Sequence, residues 1–116
     1  MRFAAGLALL LAACSPSAST APQQGDLVAC ALGGATRLSR DCSVERSEQN
    51  GDRVLVVHHP DGGFRRFTLL DGGRSVGAAD GAQALAVAGN GEWVDVAVDN
   101  DRYRFPAKML SDAARR

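Results

Sequence analysis

The stretch RVLVVHHPDGGFRRFTLL, residues 53–70, reads as two strands joined by a tight turn. Arg53–His59 is rich in β-branched residues, which suit a pleated, half-buried surface. Pro60-Asp61-Gly62-Gly63 follows: proline presets φ, and glycine accepts positive φ without steric cost. Phe64–Leu70 returns as the partner strand. Side chains alternate along a strand, so Phe64 and Phe67 point to opposite sides unless a bulge intervenes. His58 and His59 are split in the same way.

The same grammar extends outward in both directions. Upstream, Leu27–Leu32 places Val28 and Cys30 on one face. Cys42–Ser47 pairs Cys42 with Val44 and turns Ser43 and Glu45 away, before Asn50-Gly51 reverses the chain. Downstream, Asp71-Gly72-Gly73 and Asp80-Gly81 are turns, with a short weak strand at Arg74–Ala79. Ala84–Ala88 is a further strand with Leu85 and Val87 inward. Asn90-Gly91 is a favoured hairpin turn. Trp93–Val98 alternates cleanly, with Val94, Val96 and Val98 inward, Asp95 outward and Trp93 out of phase with the valines. After Asp99-Asn100-Asp101, Arg102–Phe105 turns Tyr103 and Phe105 inward, and Pro106 ends the strand. From Lys108 the tail forms one or two helical turns, marginal without packing. Strands at this spacing predict an all-β domain of seven or eight strands. A small antiparallel barrel and a sandwich both protect the sheet edges, and both remain open.

The amino-terminal segment has a different character. Met1-Arg2 is a short basic start, and Phe3–Ala13 is apolar apart from Gly6. A membrane-spanning helix takes about 20 residues, so this shorter run reads as the apolar core of a signal peptide, residues 1–13. It ends Leu11-Ala12-Ala13-Cys14, which resembles the lipobox of bacterial lipoproteins: a large apolar residue, two small residues, then cysteine. The resemblance implies that Cys14 is lipidated, its thiol forming a thioether to diacylglycerol and its freed amine taking a further acyl chain such as palmitate. Two or more chains hold a protein stably on a membrane, where one does so only marginally. Ser15 follows where aspartate commonly retains lipoproteins in the inner membrane, so the expected location is the periplasmic face of the outer membrane.

Residues 14–25 form the lipidated terminus and a linker. Ser15–Gly25 lacks large apolar residues and cannot bury a core. At about 3.3 Å per residue it reaches roughly 36 Å at most. Residues 26–116 form the one small β domain.

Thirteen basic residues balance 13 acidic ones, and removal of the signal peptide takes away Arg2 and no acid. The balance argues against a nucleic-acid partner, which calls for a basic excess. All the basic residues except Lys108 are arginine, which in a chain this rich in alanine and glycine reads first as codon bias.

Beyond Cys14 there are two cysteines, Cys30 and Cys42. In an exported chain they read as one disulfide. Their spacing is not Cys-x-x-Cys, and no further cysteine completes a thiolate metal site.

The residue types that carry chemistry do not assemble into a reaction. His58 and His59 are adjacent, so both cannot easily bind one metal. No Gly-x-Ser-x-Gly elbow is present. Asp95, Asp99 and Asp101 cluster near one turn but lack the glycine and distal glutamate of a calcium loop. No cofactor or metal is expected. Phe64-Arg65-Arg66-Phe67 and Arg102-Tyr103-Arg104-Phe105 both interleave arginine with aromatics. If their strands lie close, outward Arg66 and Arg104, with Phe64 and Trp93, form one partner-binding face, since arginine and tryptophan are typical interface anchors.

Five pieces, Cys-Ala-Leu-Gly-Gly-Ala at 30–35, Asp-Cys-Ser-Val-Glu-Arg at 41–46, His-Pro-Asp-Gly-Gly-Phe-Arg-Arg-Phe at 59–67, Ala-Ala-Asp-Gly-Ala at 78–82 and Asp-Arg-Tyr-Arg-Phe-Pro at 101–106, resemble small lipoproteins of α-proteobacteria. The resemblance covers most of the domain and brings no activity with it. Small lipoprotein lysozyme inhibitors share the plan of anchor, disulfide and β barrel, as an analogy of architecture alone. The expected function is a non-enzymatic binding or structural module on the membrane, with an envelope protein or cell-wall component as partner. The alternative is a cell-wall enzyme or an inhibitor of an enzyme such as lysozyme.

Overall fold

The computed structural model describes residues 25–81 and 83–115. The signal-peptide segment 1–13, Cys14 and the linker as far as residue 24 lie outside the described residues.

Among the described residues, eight antiparallel strands wrap into a nearly closed barrel. They are β1 (Leu27–Ala31), β2 (Ser39–Gln49), β3 (Asp52–His58), β4 (Phe64–Leu70), β5 (Ser75–Ala78), β6 (Ala86–Gly89), β7 (Trp93–Val98) and β8 (Asp101–Pro106), followed by one helix, α1 (Ala107–Arg115). Each strand pairs with the next except at one place. The order β5-β4-β3-β2-β1-β8-β7-β6 brings β8 back onto β1 and leaves a seam between β5 and β6. Closure removes every sheet edge but those two. They belong to the two shortest strands, Ser75-Val-Gly-Ala78 and Ala86-Val-Ala-Gly89.

The hairpin of residues 53–70 forms as its sequence predicts. His58 stands opposite Phe64, and Val54 opposite Thr68. The turn is closed by backbone bonds from His59 N–H to the Gly63 carbonyl (2.8 Å) and from Gly62 N–H to the His59 carbonyl (3.1 Å). The Asp61 carboxylate accepts the Gly63 N–H at 2.9 Å. At the β2–β3 turn Asn50 and Gly51 both have positive φ, 53° and 87°. Two such residues match the right-handed twist of the strands they join.

The inward phase of each strand fills the barrel. Val28, Cys30, Cys42, Val44, Leu55, Val57, Phe67, Val94, Val96, Val98, Tyr103 and Phe105 are all buried. Phe67 comes from one wall and meets Tyr103 and Phe105 from the opposite wall, edge-on, with ring centroids 5.6 and 6.1 Å apart. Aromatic side chains from opposite walls therefore meet inside the barrel, in the edge-to-face arrangement their quadrupoles favour. Cys30 and Cys42 form a disulfide with Cα atoms 6.1 Å apart, buried in the same core.

Two sequence expectations need correction. Val87 stands opposite Val96 on the inner phase, yet it is 36% exposed. The reason is the seam: β6 has no strand paired beyond it to cover that side chain. The strand also starts later than expected, at Ala86, and Leu85 packs against the core from the connection before it. The tail is the second case. It is a nine-residue helix, longer than one or two turns, and it closes one end of the barrel with Leu110 and Ala113 buried. The packing that isolated tails lack comes from Gly73. There φ is 93°, and a Cβ would lie 2.8 Å from the Ser111 Cα and 2.6 Å from the Leu110 carbonyl carbon. Only glycine lets the helix sit this close.

Candidate functional site

The four residues expected to make one arginine–aromatic face divide into two pairs. On β4, Phe64 is 54% exposed and the Arg66 guanidinium lies 5.4 Å from its ring centroid. On β7 and β8, the Arg104 guanidinium lies 5.8 Å from the ring of the half-buried Trp93. Both distances fall within cation–π range. Three strands separate β4 from β8 in either direction around the barrel, so the two pairs occupy opposite walls. A single face built from all four is therefore corrected to two. The arginines are also partnered. Arg66 donates to the Asp80 carboxylate at 3.0 Å. Arg104 makes a two-pronged contact with Asp95, at 2.7 and 3.0 Å. The fixed fork of a guanidinium matches a carboxylate in this way, and the Arg104 hydrogen bond holds the Asp95 carboxyl below its usual range.

A different constellation gathers at the end of the barrel away from α1. Odd-numbered strands finish there, so the β3–β4 and β7–β8 turns and the 32–38 loop share that mouth. His59, Arg65, Asp101 and Tyr103 converge inside it. Arg65 reaches across from β4, donating from Nη2 to Asp101 Oδ2 (2.7 Å) and from Nε to the Tyr103 hydroxyl (3.2 Å). Asp99 stands 3.7 Å from Arg65 Nη1. His59 Nε2 lies 2.7 Å from the same hydroxyl, with its ring stacked on the phenol at 5.8 Å. The other Asp101 oxygen accepts the Gly33 N–H at 2.9 Å. That bond, with one from Gly34 N–H to the Asn100 carbonyl at 2.8 Å, draws the 32–38 loop over the mouth. Arg102 holds the same loop from outside through the Thr36 carbonyl, 3.1 Å.

The electrostatics follow from burial and neighbours. Burial lowers the His59 pKa, disfavouring its charged form; Asp101 and Asp61 oppose this, and Arg65 and His58 add to it. Burial alone would raise the Asp101 carboxyl, but the Gly33 and Arg65 hydrogen bonds and the Arg65 charge outweigh it and hold it low. Burial raises the Tyr103 hydroxyl, so it stays protonated. Each group thus satisfies another, as a low-dielectric polar cluster requires. The arrangement ties β4 to β8 across the barrel mouth through side chains alone. It presents no activated nucleophile.

The split of the two histidines matches the alternation read from the sequence: His58 points outward to Glu45 Oε1 at 2.7 Å, and His59 inward. The aspartates singled out near one turn are engaged by Arg65 and Arg104. Sequence reading overlooked the Arg65–Asp101 pair, although a signal for it exists. Arg65 shares the phase of buried Phe67, and Asp101 that of buried Tyr103 and Phe105, so two opposite charges point inward from separate strands.

Compared with models of known protein families, with curated proteins and with solved structures, the chain matches none of them.

Proposed function

We propose that this chain is an envelope lipoprotein, held on a membrane through Cys14 and carrying a non-enzymatic β-barrel binding module. The observation that carries this reading is Leu11-Ala12-Ala13-Cys14 behind a basic, apolar start. The disulfide supports it. Cys30 and Cys42 are joined in the core, which leaves Cys14 outside the disulfide and suits an oxidising compartment. Ser15 favours the outer membrane, facing the periplasm. The α-proteobacterial lipoprotein resemblance points the same way. The polar groups at the barrel mouth are consumed by one another, which favours binding over catalysis.

The direct test is the mass of the mature amino terminus. A diacylglycerol-modified, acylated Cys14 is expected, and Cys14→Ala leaves an unprocessed or soluble chain. An unlipidated terminus, or cleavage elsewhere, removes the reading. The binding role is tested by capture of envelope components on wild type, Arg66→Ala and Trp93→Ala. The two pairs lie on opposite walls, so each variant reports on its own surface. Recovery unchanged in both variants excludes both.

A further inference from the structure

The Trp93–Arg104 wall lies at the end of the barrel where the tether joins it. β1 and β7 begin at this end and β8 finishes there, which sets Leu27, Trp93 and Pro106 along one rim. Trp93 stands opposite Pro106 across the β7–β8 pair. Together with Arg40 and Arg104 they line a shallow depression of about 400 Å³ on the outer wall. Leu27 is 50% exposed. Gly25 pins the arriving chain to this end: a Cβ there would overlap the Val44 carbonyl, and the neighbouring Asp26 carbonyl accepts the Val44 N–H at 2.9 Å. The linker between Cys14 and this point is short. The Phe64–Arg66 pair is at the other end, beside the β3–β4 turn, and on the opposite wall.

We infer that the Leu27–Trp93–Pro106 rim rests on the phospholipid surface that anchors the chain, with Trp93 at headgroup depth. This rests on the proposed lipidation of Cys14. Three observations favour a membrane over a protein as the occupant. Exposed Leu27 and the half-buried Trp93 and Pro106 sit where the tether ends, within its reach of the acyl chains. Tryptophan, like tyrosine, has an amphipathic ring that settles at the membrane–water interface. The rim also carries mixed charge: Arg40 forms no salt bridge among the described residues, while Asp26 and Glu92 flank Leu27 and Trp93. Such a border suits zwitterionic headgroups, with phosphate toward arginine and amine toward carboxylate. A weak contact suffices, because the anchor makes it intramolecular and raises its effective concentration. Docked in this way, the barrel turns its polar mouth and the Phe64–Arg66 pair away from the bilayer, toward the periplasm.

Trp93 is the chain's single tryptophan, so its fluorescence reads the contact without labelling. The lipidated protein is reconstituted into vesicles of phosphatidylethanolamine and phosphatidylglycerol, with and without a headgroup-labelled quencher lipid. Quenching of at least half the emission is expected. Acrylamide quenching should be at least twofold weaker than in Leu27→Ser/Arg40→Glu in the same vesicles. Protein that floats with the vesicles while Trp93 stays open to acrylamide overturns this inference and leaves the anchor standing. Protein that fails to float removes the anchor and the inference together. Shielding that appears only on addition of an envelope extract overturns it in favour of a protein partner.

Discussion

Arg65 and Asp101 meet at 2.7 Å inside the barrel mouth, although β4 and β8 stand on opposite walls. Their side chains are only 17% and 15% exposed. A pair this enclosed has lost much of its hydration, and its attraction must offset that cost.

Removing one partner therefore deprives the other of its closest opposite charge, with Arg65 keeping only the more distant Asp99 at 3.7 Å. Arg65→Met or Asp101→Leu is each expected to cost about 2–4 kcal/mol in denaturant unfolding. The double variant should cost clearly less than the sum, because no lone charge remains. Additive losses in a double-mutant cycle would show that the two do not act as a pair.

The same mouth makes stability depend on pH. His59 binds its proton less tightly in the folded chain than its ordinary value of 6.5. The unfolded chain therefore takes up a proton first as pH falls, and stability rises with pH in that window. Its contribution is complete above about 6.5 and declines as pH drops toward the lowered folded value. Thermal melts of wild type should fall between pH 7 and pH 5, and His59→Gln should flatten that part of the profile. Identical slopes in the two proteins would place the acid sensitivity elsewhere. Asp95 and Asp101, both held low, lose their contributions at more acidic pH, below the ordinary carboxylate range.

The disulfide closes the segment that carries the 32–38 loop. Restraining a loop of this size contributes roughly 3 kcal/mol in the chain-entropy account. Cys30→Ala/Cys42→Ala should then melt about 10–20 °C lower than wild type. Hydrogen exchange should rise first at Gly33 and Gly34, whose amides are held by Asp101 and Asn100. Protection unchanged at those two amides would mean that the bonds to Asp101 and Asn100 keep the loop in place without the disulfide.

Gly73 is the contact on which α1 rests. Gly73→Ala meets both a positive φ and the backbone of Leu110 and Ser111. A loss of about 2–4 kcal/mol is expected, with loss of helical signal from the tail. Gly72→Ala is the control. Its φ is also positive, 68°, but a Cβ there meets nothing within 4 Å, so only the smaller conformational cost applies. Equal losses in the two variants would show that helix packing is not the cause.

Local chemistry made much of the barrel legible. Alternation of period two placed Val94, Val96, Val98, Tyr103 and Phe105 inward, and Asn50-Gly51 and Pro60–Gly63 at turns, because side-chain direction and turn type depend on neighbours in the chain. Cys30 and Cys42 could be paired by elimination once Cys14 was assigned to the anchor. The same local rules settled that Phe64 and Phe67 point apart. They did not reveal how far apart the Phe64 and Trp93 surfaces lie, because that depends on how many strands intervene around the circle. Pairing of β1 with β8, the seam that exposes Val87 and the seat of α1 on Gly73 are likewise contacts between distant segments. So is Arg65 with Asp101: the sequence by itself determined that each points inward, but only the tertiary structure decided that they meet. A strand's own residues set its faces, whereas closure of the sheet sets which faces share a space.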